Sequence, residues 1–399
     1  NNLAAGSYFV RVYPNGGNTN YNLTLSATST VINDWFSQNL RDTGLINLTR
    51  SLAADTQLSR NDMIAIFRDA KDGSVVDASE VLDLRAIVNN YARFNMEDYV
   101  RYLSTQVSNG LSTNMADTAL EALIGRQFLG TVAPTNSFTD QNTGSTTTFS
   151  YTAVQGTLYG SSGRASIDDI DQGGMGDCAF LASLGAVLNS RPDIISNMII
   201  DNGDNTYTIR FYSSTGGSSG TGTTPGSAEY VTVDRRLATN SSGQLLFAAA
   251  GSGSATNSSN VIWAALVERA YAQWREFREG SNGYNLIGNG DYPQRPLSYI
   301  TGRSANDLTT PTVTFSQIQS ALTSNRPVTE WTYNDSTYIV GGHAYSVTSV
   351  YVNSRGEQRV VVRNPWGVDG RTIDGANDGF VDLSFSQFLA AFPRINFVS

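Results

Sequence analysis

The strongest constraint on this chain is that it holds one cysteine, Cys178, and one histidine, His343, among 399 residues. A thiol nucleophile needs a nearby base, and histidine is the usual base at neutral pH. If the chain uses such a pair, its fold must bring these two residues together. The alternative for a lone cysteine is burial as a small apolar side chain, because free cysteines are among the most buried residues.

The segment around the cysteine, QGGMGDCAFLASL at residues 172–184, favours the nucleophile. Its glycines permit a sharp turn, and Asp177 is a preferred N-cap residue before an apolar helical run. We therefore expect Cys178 at a helix N-terminus, where unpaired N–H groups and the helix dipole lower the pKa of a thiol. Gln172 precedes it and carries an amide that can join a backbone N–H in an oxyanion hole.

The histidine lies in a predicted β-hairpin made of GGHAYSVTSVYV (341–352), a short NSRG turn and EQRVVVRNPWG (357–367). Symmetric pairing about the start of that turn places His343 opposite Asn364, with side chains about 5 Å apart on one face. Asn364 can then accept a hydrogen bond from the imidazole and fix its tautomer. We expect Trp366 on the same face to shield this hydrogen bond from water. The order Cys, His, Asn is that of papain-type proteases.

The rest of the chain predicts an α+β fold. Residues 8–26 alternate as a β-hairpin, and residues 32–128 show helical periodicity. A connector rich in Thr, Ser and Gly leads to strands at 205–212 and 228–236 and to a helix at 261–274. Helices followed by strands favour an α+β arrangement in two lobes.

A possible calcium loop, DAKDGSVVDASE, occupies residues 69–80. It has Asp at the first and Glu at the twelfth place of the template. However, Lys71 stands where a carboxylate ligand belongs, and Gly73 is one place early. These departures favour the alternative, a capped helix–turn–helix.

Composition excludes several classes of function. The net charge is −9, and no basic run is present, so we expect no nucleic-acid partner. No stretch of about 18 apolar residues could span a membrane. One cysteine allows no internal disulfide, which suits a reducing compartment or a secreted bacterial protein. The loops are polar and Lys71 is the sole lysine, so we predict a secreted or cell-surface bacterial protein, with the cytoplasm as the alternative. We expect a monomer, and a chain starting at Asn1 to be a fragment or processed form.

The cysteine, histidine and asparagine segments together resemble those of the calpain family of cysteine peptidases. VTVDRRL, WAALVERAYAQW and DGFVDLSFSQFLAAF resemble further core segments of the family, so the resemblance covers about residues 165–399. It implies a papain-like, two-lobed core that hydrolyses peptide bonds in protein or peptide substrates. One departure is Ala179, where calpains usually have Trp.

The same resemblance implies the roles of the site residues. Cys178 is the nucleophile, His343 the general base and acid, Asn364 the residue that orients the imidazole, and Gln172 a donor in the oxyanion hole. Two alternatives stay open: an inactive binding or adhesion module on this scaffold, and an acyl transferase or transglutaminase that uses the same triad.

The resemblance also implies calcium. Asp169 and Glu268 occupy the positions of first-lobe calcium ligands, and both are hard oxygen donors. In the second lobe Asp378 matches a ligand, but Phe380 replaces an acidic residue, so we expect that site to be absent or altered. Activation by calcium is therefore a hypothesis. The composition of the helical region and of the connector separately motivates the hypothesis that autolysis trims them, and we expect no organic cofactor.

These inferences predict five parts. Residues 1–30 form strands that resemble the end of a bacterial pre-peptidase C-terminal domain, and residues 31–130 form a helical accessory or pro-domain. Residues 131–165 are the connector. Residues 166–290 form a lobe that contains Cys178, and residues 291–399 form a lobe that contains His343 and Asn364.

Overall fold

The computed structural model describes residues 32–248, 253–371 and 375–399. Helices dominate the beginning of this part of the chain and strands its end, so the fold is of the α+β class. The β-hairpin predicted at residues 8–26 lies outside the described residues. No helix in the described ranges is long and apolar enough to cross a membrane.

The N-terminal described segment is a helical unit with its own apolar core. Phe67, Leu103 and Phe128 are fully buried at its centre. The helices are α1 (Trp35–Asn39), α2 (Thr43–Leu52), α3 (Arg60–Asp69), α4 (Ala78–Asn89), α5 (Asp98–Gly110) and α6 (Asp117–Phe128), with two-residue strands β1 (Val75–Val76) and β2 (Met115–Ala116) paired antiparallel.

The calcium-loop match at residues 69–80 forms a helix–turn–helix between α3 and α4. Asp77 caps α4, and its backbone N–H donates to the carboxylate of Glu80 at 2.6 Å, which completes a capping box. The amine of Lys71 forms an ion pair with Glu121. The glutamate that a calcium loop would use as a ligand therefore serves as a helix cap, which confirms the alternative interpretation.

The helical unit packs on the strands that follow it. Arg60 forms an ion pair with Asp204 at 2.9 Å, and the rings of Tyr102 and Tyr230 lie 5.7 Å apart. A cavity of about 630 Å³ lies at this junction, and its lining includes Leu129, Asp204 and Gln155 of the connector.

The connector contains regular structure. Its first two strands, β3 (Ser137–Thr139) and β4 (Thr146–Thr148), form an antiparallel hairpin. Its third, β5 (Ser150–Ala153), pairs with β9 (Arg236–Thr239) and so joins the connector to the next unit.

The unit that begins with Cys178 has a helical core. Helix α7 (Cys178–Ser190) is buried from Ala179 to Leu188. Phe180 of this helix stacks on Tyr271 with ring centroids 4.0 Å apart. The other elements are α8 (Pro192–Met198), α9 (Trp263–Glu279), α10 (Gly283–Gly288), α11 (Gln294–Thr301) and a sheet of β6 (Ile199–Asp201), β7 (Thr206–Gly216) and β8 (Thr223–Asp234). The strands predicted at 205–212 and 228–236 and the helix predicted at 261–274 are confirmed as β7, β8 and α9.

The C-terminal unit is built on a six-stranded antiparallel sheet. Its strands are β10 (Ala305–Thr309), β11 (Val328–Thr332), β12 (His343–Val352), β13 (Gln358–Arg363), β14 (Phe380–Ser384) and β15 (Arg394–Val398), in the spatial order β10-β15-β11-β12-β13-β14. Helices α12 (Phe315–Thr323) and α13 (Phe385–Ala391) complete this unit. Ser346 Oγ of β12 donates to Ala182 O of α7 at 2.7 Å, so the sheet is attached directly to the cysteine helix.

The register of the β12–β13 hairpin differs from the prediction by two residues. Ser346 pairs with Arg363, so continuing the ladder sets Tyr345, and not His343, opposite Asn364. The turn is centred later than expected, since Asn353 N donates to Glu357 O, and a bulge lies between residues 347 and 349. A shift of two residues keeps the same faces together, because side chains alternate with a period of two. Asn364 therefore reaches His343 along a diagonal.

A buried glutamate lies in the same sheet, at Glu330 in the middle of β11. It is fully buried opposite Tyr345, and neither carboxylate oxygen has a hydrogen-bond partner among the described residues. Burial raises the pKa of Glu330 well above its usual range. The folded chain therefore keeps the proton to a higher pH than the unfolded chain does, and stability falls as pH rises above the ordinary glutamate value.

We expect Glu330→Gln to remove this dependence. The difference in unfolding free energy, variant minus wild type, should increase by on the order of 2 kcal/mol from pH 4 to pH 7. Thermal or urea unfolding at both pH values measures the change, with the exposed Glu97→Gln as the control. A difference between Glu330→Gln and wild type that does not vary with pH would contradict this expectation.

Candidate active site

The glycines before Cys178 allow the chain to pass very close to its neighbours. A Cβ on Gly173 would lie 2.5 Å from Leu246 O, and one on Gly176 would lie 2.6 Å from Gly288 O. Gly176 N also donates to Gly288 O. The tight approach holds the segment in place and starts α7 at Cys178, as the sequence predicts.

Asp177 lies at the N-cap position, but its side chain makes no capping hydrogen bond, and the predicted capping role is wrong. The carboxyl is instead buried beside Glu268. Burial raises the pKa of Asp177 to about 7, and burial next to Asp177 raises the pKa of Glu268 well above its usual range. Two buried carboxyl groups therefore lie side by side near the N-terminus of α7, where Cys178 begins the helix.

The thiol of Cys178 does not have the lowered pKa that its helix position predicts. Burial raises the pKa of Cys178 to about 11, against the opposing effect of the Ala344 N–H. Desolvation of the charged form outweighs the helix terminus here. In the described conformation the sulfur is therefore a neutral thiol at neutral pH.

Gln172 lines a cleft that Cys178 also lines. Its side-chain Nε2 donates to Met175 O at 2.6 Å, and its backbone N donates to Pro365 O. The second bond fixes the glutamine segment to the loop that follows Asn364. The amide keeps one further N–H beyond the bond to Met175.

The imidazole of His343 is held by the asparagine that the sequence singles out. His343 Nε2 lies 2.8 Å from Asn364 Oδ1, and Asn364 Nδ2 donates to Asp369 O. Because the amide nitrogen is committed as a donor, Oδ1 accepts and the ring proton is assigned to Nε2. The other ring nitrogen, Nδ1, is then free to act as a base.

Two aromatic rings enclose this imidazole. Trp366 lies 4.7 Å from the ring centroid, as predicted, and Tyr345 contacts it edge-on at 5.1 Å. Burial lowers the pKa of His343 to about 4, and the hydrogen bond to Asn364 opposes that shift. Tyr345 was not predicted as a site residue, although the period of two along β12 places it on the same face as His343.

Cys178 and His343 line one cleft of about 360 Å³, together with Gln172 and Trp366. Among the described residues no hydrogen bond joins the Cys178 sulfur to the His343 ring. The fold thus brings the two side chains to a common cavity, in a conformation where both are neutral. Asn142, a connector residue that was not predicted as part of the site, also lines this cleft.

The candidate calcium ligands have other partners. Asp169 Oδ2 accepts from Trp263 Nε1 and from Ser166 N, each at 2.8 Å. Glu268 accepts from Ala248 N and lies beside Asp177. The described ranges contain no group of three acidic, histidine or cysteine side chains that could hold a metal ion. These described contacts give no support to a calcium site shared by Asp169 and Glu268, which stays a prediction of the resemblance.

Asp378, the residue that matches a calcium ligand of the family near the C-terminus, also has a hydrogen-bond partner within the chain. The carboxylate of Asp378 accepts from the backbone N–H of Phe380 at 3.0 Å. The apolar side chain of Phe380 supplies no ligand, and the altered second site stays a prediction.

Comparison with known proteins points to one family. Residues 155–376 match the model of the family described as calpain family cysteine protease. Calpain-8 of Mus musculus is 29% identical over 274 residues, which are 58% of this chain and 35% of that protein. The calpain-2 catalytic subunit of Bos taurus is 31% identical over 276 residues, 58% of this chain and 36% of that subunit. The calpain-type cysteine protease DEK1 of Zea mays is 29% identical over 221 residues, 51% of this chain and 9% of its own length. The chain thus spans less than a tenth of the length of DEK1 and little more than a third of the length of the two calpains.

Proposed function

Because the chain belongs to the calpain family of cysteine proteases, we propose that it is an endopeptidase with Cys178 as nucleophile, His343 as acid and base, and Asn364 as the orienting residue. The observation that carries the proposal is the 2.8 Å contact of His343 Nε2 with Asn364 Oδ1 in the cleft that also contains the sole cysteine. This contact leaves Nδ1 to take the thiol proton.

The proposed reaction begins when the cleft narrows and His343 Nδ1 reaches the sulfur. The proton moves from Sγ to Nδ1, and the thiolate attacks the substrate carbonyl carbon. The Cys178 N–H, unpaired at the helix N-terminus, and Gln172 Nε2 stabilise the oxyanion. The imidazolium then protonates the leaving amine, and His343 later activates the water that releases the acyl group.

A papain-like arrangement of two lobes is part of the proposal. One lobe carries α7 with Cys178, and the other carries β12 and β13 with the histidine and asparagine. Two separate apolar cores support this division, one around α7 and α9 and one around the six-stranded sheet. In the described conformation both reacting groups are neutral, and their approach would exchange a neutral thiol–imidazole pair for an ion pair.

Product analysis tests the proposal and its alternatives. The chain is incubated with a denatured protein such as casein, with and without an added primary amine, and the products are analysed by mass spectrometry. We expect new peptides that end in a free carboxyl group and not in an amide of the added amine. Amide exchange would favour an acyl transferase, and intact substrate with an unreactive cysteine would favour an inactive binding module.

The proposed mechanism uses no calcium ion, because the described contacts of Asp169 and Glu268 do not support a shared site. We expect kcat/KM measured in millimolar calcium to agree within about twofold with that measured in a chelator, and Asp169→Asn to behave alike in both conditions. Strong activation by calcium that Asp169→Asn abolishes would contradict this expectation and restore the ligand assignment that the resemblance implies.

The remaining sequence-based predictions belong to the same proposal. We propose protein or peptide substrates, a monomer, a secreted or cell-surface location in a bacterium, and autolytic trimming within the helical unit or connector. The polar, lysine-poor composition supports export, and the resemblance supports the substrate class. Intact-mass analysis of the active protein over time tests the trimming.

A further inference from the structure

The hairpin of β3 and β4, residues 137–148, lies upstream of the matched family segment and reaches the cleft of the proposed active site. We propose that this connector hairpin forms one wall of the substrate-binding cleft and that Asn142 at its tip is a specificity-determining residue. The inference rests on the proposed function, since it concerns the peptide that the cleft would hold.

Side-chain amides attach the hairpin to the cleft wall. Asn285 Oδ1 accepts from Thr139 N at 2.7 Å. Asn289 accepts from Gln141 N at 2.8 Å and donates to Thr139 O at 3.0 Å. Three hydrogen bonds from two residues at and just after α10 therefore hold the second half of β3 and the start of its turn.

Apolar packing fixes the hairpin at the same place. Phe138 is buried and contacts Phe247 edge-on at 6.4 Å. A Cβ on Gly288 would lie 2.6 Å from the Phe138 ring, so this glycine allows the hairpin to approach closely. The next residue, Asn289, forms a parallel bridge with Gly176, two positions before the nucleophile. Asn289 thus connects the hairpin to the segment that carries Cys178.

The tip of the hairpin is held by its own hydrogen bonds. Asp140 accepts from Asn142 N at 2.8 Å and from Thr143 Oγ1 at 3.1 Å, and Gly144 N donates to Asp140 O. Gly144 has a φ of +71°, which favours glycine. Such a turn presents the Asn142 side chain from an ordered backbone, as a selective binding wall requires.

The cleft that Asn142 lines is neutral. The described lining residues include no Asp, Glu, Lys or Arg, and the titratable pair Cys178 and His343 is neutral in this conformation. Glycines make up much of the two walls. A neutral, glycine-lined cleft suits an extended peptide that binds through its main chain. The substrate side chain beside Asn142 would then be selected by size and by hydrogen bonding to an amide, and not by charge.

Binding and turnover of a peptide library test this inference. The library consists of uncharged peptides with one varied residue, and binding is measured in a Cys178→Ala background to exclude cleavage. We compare peptides that have a large residue at the varied position with peptides that have a small one there. Asn142→Ala should increase the binding of the former relative to the latter by about fivefold, and Asn142→Trp should decrease it by about tenfold. Gln141→Ala, in the same turn but outside the cleft lining, should keep the wild-type profile.

The outcomes separate this inference from the proposed function. Selectivity that is unchanged in both Asn142 variants would overturn the role of the hairpin. A changed selectivity without any turnover in the chain that retains Cys178 would support the hairpin and refute the endopeptidase. Circular dichroism checks the fold of each variant, and the smaller Asn142→Ala substitution decides alone if Asn142→Trp does not fold.

Discussion

Replacing Cys178 with alanine is expected to lower kcat for peptide hydrolysis by about 10⁴-fold or more, because the covalent step loses its nucleophile. The chain offers no second cysteine. The fold should survive, since Cys178 packs beside Ala179, Ala182 and Ala344, where another alanine fits. Initial rates with a fluorogenic protein substrate measure the loss.

Two variants complete this experiment. Cys178→Ser keeps the size of the side chain but supplies a far less acidic group, so it should be inactive as well. Ser190→Ala, at the opposite end of α7, should retain wild-type turnover. Wild-type kcat in a folded Cys178→Ala variant would remove the cysteine from the mechanism.

The second large effect is expected from His343→Gln, which should lower kcat/KM by about 10³-fold or more. Glutamine can still hydrogen-bond to Asn364, but it cannot take a proton from the sulfur. Burial holds the pKa of the Cys178 thiol at about 11 in the described conformation. Without the base, alkylation of Cys178 should therefore accelerate only as pH rises into the alkaline range.

The pH profile of alkylation separates a chemical role from a structural one. We expect wild type to react with iodoacetamide near neutral pH, and His343→Gln to react measurably only in alkaline solution. Asn364→Ala should give an intermediate rate, because the imidazole is present but less well oriented. Equal alkylation of wild type and His343→Gln at pH 7 would show that His343 does not activate the thiol.

The sequence allowed the cleft residues to be predicted because their signals are local. The glycines before Cys178 and the apolar run after it indicate a turn and a helix N-terminus without any tertiary information. Alternation along β12 and β13 similarly places His343, Asn364 and Trp366 on one face. An error of two residues in the register left this face unchanged, since only an odd shift would have reversed it.

The properties that were predicted wrongly depend on tertiary packing. The sequence shows Asp177 as a helix cap, but only the packed structure reveals that its carboxyl is buried beside Glu268. The same burial reverses the predicted pKa shift of Cys178, because desolvation is set by residues distant in the chain. The bulge between residues 347 and 349 likewise has no marker in the sequence that could have corrected the register.

The role of the connector could not have been predicted from composition. Its Thr-, Ser- and Gly-rich sequence is typical of a linker, yet amides from Asn285 and Asn289 fix it against the cleft. These contacts span well over a hundred positions along the chain. Local patterns carry no information about partners so far away.

The proposed role of Cys178 as nucleophile can be tested by following peptidase activity while this residue is alkylated in steps. Because the chain has one cysteine, intact-mass spectrometry reports how completely that residue is modified at each point. We expect hydrolysis to fall in proportion and to vanish when every molecule carries one alkyl group at Cys178. Hydrolysis that continues in fully modified protein would contradict this expectation.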